Sequence, residues 1–451
     1  MNAENLGDKD QCIIAELSLD QVNFLLSRSM AIHEIFELYS HGKTYPEMFE
    51  SLKSSKISES FKTNHYNKPS ETVSFKVTAL NKKLAKDRAR QLEIYKQTFE
   101  DHPEIVSKVN LKTPTWEIFY IEQYNNDDTI TRDEKVFEYV YFGAKIGEAQ
   151  RKLRAKYDLR QRDFLGNTSM EPEVCVFQAN LAKISSGDLV YDPFCGSGSN
   201  LIAAAHFGAF TIGSDLDYNI IHSRGKSSKM GMGWRNQKTS LKTQMVKYGL
   251  TTHLGTFRTD FSQTGFYQKE ESINAIVCDP PYGVREPTKK VGKKDETESW
   301  HEKIAKVVEN EEYQGDLTNV DIMDLRMHYP QKVEYRMEDL FKDLVKFGAR
   351  NLKIGGRLTF WLPVDLRDLT GHSITHPDMT VIARCIDPFG DKTGRELWVL
   401  EKVKHFSGEN AVFESRFYKD QTNNFRELHL GPNGMGTQKV AKMDGTQGLI
   451  R

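Results

Sequence analysis

An apolar run, Ile273-Asn274-Ala275-Ile276-Val277-Cys278, ends in Asp279-Pro280-Pro281-Tyr282-Gly283. Neither proline has a backbone N–H to donate, so a strand must stop pairing there. Each proline also biases the residue before it to extended geometry. The result is a stiff corner at a strand's carboxyl end, with an acid, free carbonyls and an aromatic ring. That set suits an exocyclic amine on a flat base. Asp279 and the Pro280 carbonyl accept the amine hydrogens, Tyr282 stacks on the ring, and the nitrogen lone pair points at whatever lies behind it. The plainer reading is a buried turn with a tyrosine lid.

A second arrangement stands upstream. Leu189-Val190-Tyr191 breaks into Asp192-Pro193-Phe194-Cys195-Gly196-Ser197-Gly198, a helical pattern runs from Ser199 to Phe207, and Gly208 is placed to end it. Strand, glycine turn and helix bring a backbone close to a ligand at a sheet's edge. The spacing is not G-x-G-x-x-G, and an acid opens the loop where a dinucleotide fingerprint has glycine. Asp192 would repel a pyrophosphate and attract a cation. S-adenosylmethionine, with an ammonium and a sulfonium, meets that requirement. A further apolar run, Ala209 to Ser214, ends at Asp215, about 20 residues past the turn, the spacing of an acid that grips ribose hydroxyls. Another, Leu254 to Thr259, ends at Asp260-Phe261, where a side chain can receive an adenine amine. Each acid alone reads better as a solvated strand end or a helix cap. Strands that end in aspartate four times in succession read together as one ligand-binding edge.

The motifs Asp192 to Gly198 and Asp279 to Tyr282 resemble those of class I amino-methyltransferases. Tyr141-Phe142-Gly143, Phe164-Leu165-Gly166-Asn167-Thr168-Ser169-Met170, Ala205-His206-Phe207-Gly208-Ala209 and Asp279 through Glu286 narrow the likeness. Together they resemble the eukaryotic catalytic subunit of tRNA (guanine-10-N2)-methyltransferase, from about Ile13 to about Val403. The resemblance implies a THUMP RNA-binding region ahead of a Rossmann-like domain. It implies methyl transfer from S-adenosylmethionine to the N2 amine of a guanine in tRNA, and a small zinc-binding activator subunit as partner. It puts Thr168 and Ser169 near the methionine end of the cofactor, although a helix cap is an equal reading of that pair. Asp192, Phe194, Gly196 and Gly198 surround the cofactor's middle, Asp215 meets the ribose, and Asp260 with Phe261 the adenine. Asp279, Pro280, Pro281 and Tyr282 form the catalytic corner. The family has further strands and helices ahead of the segment matching Cys12 to Leu17, which this chain is expected to lack. Two rivals share the motifs: a DNA amino-methyltransferase acting on adenine N6 or cytosine N4, and a catalytically silent RNA-binding scaffold. The THUMP-like front and a basic junction speak against the first, and intact acids at every strand end against the second.

These sites need elements to position them. A chain of 451 residues, 38% hydrophobic and 28% charged, should hold at least two domains with real cores. A net charge of -1 excludes wholesale non-specific nucleic-acid binding, so any RNA surface is local. No apolar run reaches membrane-spanning length and the polar start Met1-Asn2-Ala3-Glu4-Asn5 is no signal peptide, so a cytoplasmic location is expected. Cys12, Cys175, Cys195, Cys278 and Cys385 are scattered and form no C-x-x-C pair, which suggests reduced thiols and no metal site.

The chain divides near residue 150. Residues 1–150 read as the α+β, THUMP-like region, with strands at Cys12–Leu17, Ser74–Val77, Trp116–Tyr120 and Val136–Tyr141, and helices over Gln21–Ser40 and Lys82–Glu100. Lys82, Lys83, Lys86, Arg88 and Arg90 crowd the second helix, and Arg151, Lys152, Arg154, Lys156, Arg160 and Arg162 a linker over 151–165. Next to a base-modifying site these read as phosphate contacts, although an isolated basic helix is more simply a solvated face. Residues 166–403 read as an α/β domain, a mostly parallel sheet with helices on both faces. The four strands above continue with Gly356–Leu362 after a helix through Met337, Leu340, Phe341, Leu344 and Val345, then Met379–Cys385 and Leu397–Leu400, to make seven. The resemblance implies that the last is inserted antiparallel. A charged insertion, 284–336, follows the catalytic corner and reads as a substrate-ordering lid, and the polar 404–451 as a flexible tail.

Overall fold

The computed structural model describes residues 12–54, 71–85, 87–101, 108–126, 129–131, 134–166, 168–225, 234–283, 288–292, 332–369 and 371–415. The chain divides into two compact units, Met1–Leu153 and Arg154–Arg451.

The first unit runs α1 (Leu19–Arg28), β1 (Glu34–Gly42), α2 (Tyr45–Ser54), β2 (Thr72–Leu80), α3 (Arg88–Asp101), β3 (Lys108–Val109), β4 (Trp116–Tyr124) and β5 (Phe137–Glu148). Its sheet has the order β1-β5-β4-β2-β3, with β5 antiparallel to both neighbours and β2 parallel to both of its own. Successive strand side chains face opposite ways, and one face is an apolar core. There Tyr39, Val73, Phe75, Ile118, Tyr120, Val140 and Phe142 meet Met48, Phe49 and Leu52 of α2 and Ile94 of α3.

Three readings of this unit are corrected. Cys12–Leu17 is irregular, not a strand. The helix expected over Gln21–Ser40 is a short helix followed by a strand. Ser18 and Gln21 form a reciprocal capping box that starts α1, and Ser29 ends it in extended geometry. The apolar spacing from Ile35 to Tyr39 then serves β1, whose pairing with β5 overrides local helix preference. The basic helix starts only at Arg88, and Arg90 turns inward to pair with the fully buried Glu122, which also accepts from Tyr45 (2.6 Å) and Tyr124 (2.8 Å).

A helix α4 (Lys152–Lys156) spans the boundary. Of residues 151–165, expected as a linker, 154–165 fall within the second unit, with Tyr157, Arg162 and Phe164 buried. This unit contains α5 (Pro172–Leu181), β6 (Leu189–Asp192), α6 (Ser199–His206), β7 (Phe210–Asp215), α7 (Tyr218–Ile221), α8 (Leu241–Lys247), β8 (His253–Arg258), β9 (Ile273–Cys278), β10 (Lys289–Val291) and β11 (Lys332–Glu334). There follow α9 (Met337–Asn351), β12 (Leu352–Asp365), β13 (His372–Thr375), β14 (Met379–Pro388), β15 (Thr393–Lys402) and β16 (Val412–Ser415).

Seven strands form one sheet in the order β14-β15-β12-β9-β6-β7-β8. From β12 to β8 it is parallel, and β15 lies antiparallel between β12 and β14 as expected. Strand β9 reads as a near-continuous apolar run because helices cover both faces of such a sheet. On one face α9 buries Met337, Leu340, Phe341, Leu344, Val345 and Phe347, each worth about 1.5–3 kcal/mol. Chain order reverses between β6 and β9, and an open α/β sheet binds ligands at the carboxyl ends of such a junction.

Two boundaries move. Residues 404–415, expected in the tail, belong to the domain: β16 pairs with β13, and Phe413 is buried 5.5 Å from Phe341. The ends of the charged insertion form an antiparallel ribbon, β10 with β11. Its residues 293–331 and residues 416–451 of the expected tail lie outside the described residues. No helix among the described residues is long and apolar enough to cross a membrane.

Candidate active site

The carboxyl ends of β6, β7, β8 and β9 open into a cleft of about 630 Å³. Thr168, Ser169, Asp192, Phe194, Gly196, Asp215, Asp260, Phe261, Asp279 and Pro281 line it, so the fold gathers ten of the thirteen expected site residues. Gly198, Pro280 and Tyr282 are not among its lining.

The glycine loop is shaped from both sides. Gly196 takes a left-handed φ of +48°, and its N–H donates to Asp215 at 2.9 Å. Gly198, at φ +78°, is the cap residue of α6, and a Cβ there would lie 2.5 Å from both methyl carbons of Leu241. Its glycine therefore serves packing and helix entry. Ser169 ties the 166–170 segment to this loop: it accepts from the Gly166 N–H (2.9 Å) and shares a hydrogen bond with the Ser197 hydroxyl (2.5 Å). The residue that caps α5 is Glu171, so Ser169 is no helix cap. Beneath the loop lies Arg162, 2% exposed, donating to the Ser197 carbonyl (2.6 Å) and the Ser199 hydroxyl (2.7 Å). Burial lowers its basicity. Arg162 thus braces the loop from below and cannot be the phosphate contact its basic neighbourhood suggested. Arg151, Lys152, Arg154, Lys156 and Arg160 are exposed.

Four strand-end carboxylates converge on the cleft, with Asp217 beside them. Asp192 is buried, accepts from the Phe194 N–H (3.0 Å) and lies 3.5 Å from the Asn200 amide. Burial pushes its carboxyl well above the ordinary range; the Phe194 N–H opposes this, and the negative charges of Asp215 and Asp279 add to it. Such a carboxyl gains from a cation laid against it. Asp215 accepts from Gly196 and from the Asp217 N–H (2.8 Å). Asp260 accepts from the Ser262 N–H (3.0 Å) and the Val291 N–H (2.6 Å), so the ribbon of the charged insertion is pinned to the cleft's edge. Phe194 and Phe261 pack edge to face, 5.1 Å apart. Acids at three strand ends, a glycine with open space before its α-carbon and two rings fit a cationic sulfonium nucleoside.

At the corner after β9, the Tyr282 hydroxyl donates to Asp279 Oδ1, and Arg395 Nη1 stands 3.6 Å from Oδ2. Burial pushes the Tyr282 hydroxyl well up, and the Asp279 charge adds to this. Its hydroxyl is therefore turned back on the acid in this structure, the geometry of the tyrosine-lidded turn that the sequence offered as the plainer reading.

Sequence reasoning missed the cations. Arg235 lines the cleft and donates to the Leu165 carbonyl (3.0 Å), and Lys289 and Lys332 reach it from the ribbon. Arg395 comes from β15. No local motif marks any of them; only the charge of the insertion hinted at the two lysines. Among the described residues no cluster of three or more His, Cys, Asp or Glu could hold a metal ion.

Residues 160–315 match the family described as RMKL-like, methyltransferase domain, and residues 5–151 the Tmrp11 THUMP N-terminal domain. The tRNA (guanine(10)-N(2))-methyltransferase TRMT11 of Rattus norvegicus is 33% identical over 95% of this chain and 87% of its own length. The protein of that name from Homo sapiens is 32% identical over 97% and 90%. Among solved structures, TrmN from Thermus thermophilus is similar at 13% identity and a TM-score of 0.35, over 86% of this chain and 88% of that one. On that identity and coverage, this chain belongs to the tRNA (guanine(10)-N(2))-methyltransferase family.

Proposed function

We infer that this chain is a tRNA methyltransferase that adds a methyl group to the N2 amine of guanine 10. The observation that carries the reading is Asp279 at the end of β9, opening into a cleft lined by three further strand-end acids. S-adenosylmethionine supplies an electrophilic methyl group and fits this acidic cleft.

The roles of the chain's residues follow from where they stand. Asp192 and Asp215 bind the cationic and ribose parts of the cofactor, and Asp260 and Phe261 frame its adenine. Thr168 and Ser169 close the methionine end. The N2 lone pair of guanine is delocalised into the ring, so the amine is a weak nucleophile until its hydrogens are held. Asp279 accepts one and the Pro280 carbonyl the other, an orienting and electrostatic role. The methyl group would pass to N2 as its bond to the cofactor's sulfur breaks, leaving the neutral thioether, and the proton shed by the amine would go to solvent. The base must leave its stack to reach this corner. Tyr282 must then release Asp279, which frees its ring to stack on the base. Exposed Arg151, Lys152, Arg154, Lys156 and Arg160 supply phosphate contacts. The chain works in the cytoplasm as the catalytic subunit of a heterodimer with a small zinc-binding activator; the partnership rests on the family resemblance, the location on the polar start and the lack of a membrane-length apolar run.

The test is an incubation of the full chain, with and without that activator, with radiolabelled S-adenosylmethionine and unmodified tRNA carrying guanine or adenine at position 10. Label in N2-methylguanosine from the guanine-10 tRNA alone is the expected result. Cofactor binding with no label in either tRNA would overturn the reading.

A further inference from the structure

We propose that Arg395, on the antiparallel strand β15, is the positioning residue that fixes the Asp279 carboxylate for catalysis. The inference rests on the reading of Asp279 given above.

Strand β15 runs opposite to the parallel strands, so its start lies beside their carboxyl ends. Arg395 is there, opposite Pro363 of β12 and Asp387 of β14. Its side chain is 12% exposed, and its guanidinium carbon lies 4.3 Å over the Trp361 ring. One edge of the guanidinium meets Asp387 at 2.9 Å, while Nη1 faces Asp279 Oδ2 at 3.6 Å. A planar fork can stack on a ring and still donate sideways to two acids, which a lysine ammonium cannot do. The platform beneath it is fixed in turn. Trp361 Nε1 donates to Gln178 Oε1 (2.9 Å), and Gln178 Nε2 donates to the Cys278 and Thr359 carbonyls (3.0 Å each). Gln178, Trp361 and Arg395 therefore form one buried brace that grips the strand just before the corner and the acid just after it.

The brace gives the two carboxylate oxygens different partners. Arg395 faces Oδ2 and also meets the Tyr282 hydroxyl, which covers Oδ1. With Oδ2 turned to a fixed cation, Oδ1 keeps its aim when Tyr282 departs, and becomes the acceptor for the guanine amine. Arg395 does not line the cofactor cleft, so its loss acts on turnover and not on cofactor binding.

The experiment compares Arg395→Met, Arg395→Lys, Asp279→Asn and the double variant Asp279→Asn/Arg395→Met in the full chain. Turnover is read at saturating tRNA and S-adenosylmethionine, and cofactor affinity by calorimetry. Arg395→Met should lose about 30-fold in kcat, about 2 kcal/mol, with cofactor affinity within about twofold of wild type. Arg395→Lys, which keeps the charge without the fork, should lose about tenfold. The double variant should be no slower than Asp279→Asn, because a brace has no effect once the group it holds is gone. Losses that multiply in the double variant, or a fall in cofactor affinity in step with turnover, would overturn the proposal. So would wild-type turnover in both Arg395 variants. If Asp279→Asn itself turns over normally, the reading of Asp279 fails first, and the two failures are distinct.

Discussion

Gly196 and Gly198 lie in one loop and share a left-handed backbone, yet the surroundings of each predict opposite consequences of a single methyl group. For alanine at either position the left-handed φ costs roughly 1–2 kcal/mol. At Gly198 the added carbon also lies 2.5 Å from Leu241 Cδ1 and Cδ2 and 3.1 Å from Cγ. Both branches of a leucine only 5% exposed are blocked, so the side chain or the helix behind it must move. Crowding of that kind costs about 1–3 kcal/mol, for a total of about 2–5 kcal/mol. In a domain of this size that lowers the melting temperature by about 5–15 °C. At Gly196 nothing lies within 4 Å of the added carbon, and the open space is the cleft itself. Gly196→Ala should melt within a few degrees of wild type but bind S-adenosylmethionine at least about tenfold more weakly, about 1.4 kcal/mol. Gly198→Ala should show the reverse, a large thermal shift with affinity within about threefold. Thermal melts and calorimetry on both variants decide the matter. A weaker cofactor affinity in Gly198→Ala than in Gly196→Ala would refute the assignment of one glycine to the ligand and the other to packing.

Asp279→Ala should abolish methyl transfer while S-adenosylmethionine affinity by calorimetry stays within about twofold, since on the proposed reading the acid acts on the base. Arg162→Ala removes the donor to the Ser197 carbonyl and leaves a hole; about 3 kcal/mol of stability, read by urea unfolding, should go with it, and cofactor affinity should fall too. Lys152, with its side chain 94% exposed, should behave in the opposite way. Lys152→Ala should weaken tRNA binding and lower its salt slope by about 1, with cofactor binding unchanged. For His372, burial holds the imidazole down to about 4, with the Arg384 charge adding to the effect. Its folded value is below the unfolded one of about 6.5, so the unfolded chain takes up more protons between the two, and stability is lost as pH falls through that window. Urea unfolding at pH 7 and pH 5 should show about 2 kcal/mol of this loss in the wild type, and His372→Phe should lack it.

The acids of the site were legible because each belongs to a local pattern, an apolar run that stops at an aspartate. A parallel sheet then brings strand ends together without further instruction, which is why Asp192, Asp215, Asp260 and Asp279 meet around one cleft. The segment before β2 misled for the converse reason. From Ile35 to Tyr39 the apolar spacing satisfies a helix nearly as well as a strand, and the choice is made by β5, far along the chain. Charge misled in another way. Arg160 and Arg162 look alike in sequence, but one is exposed beside Asp158 and the other is 2% exposed under the glycine loop. A residue type states that a charge exists, not which side of the surface it lies on.

Arg395 shows where that limit bears on function. Nothing near Gly394-Arg395-Glu396 announces a role, because its partners come from three other strands and a helix: Asp279 after β9, Trp361 on β12, Asp387 on β14, and Gln178 on α5 behind them. The antiparallel insertion of β15 is what places its start beside the corner after β9. On the proposed reading, parallel strands deliver the acid that holds the base and the antiparallel strand delivers the cation that aims it. A sequence pattern can reveal the first, whose motif is continuous, while the second exists only once the sheet has closed around it.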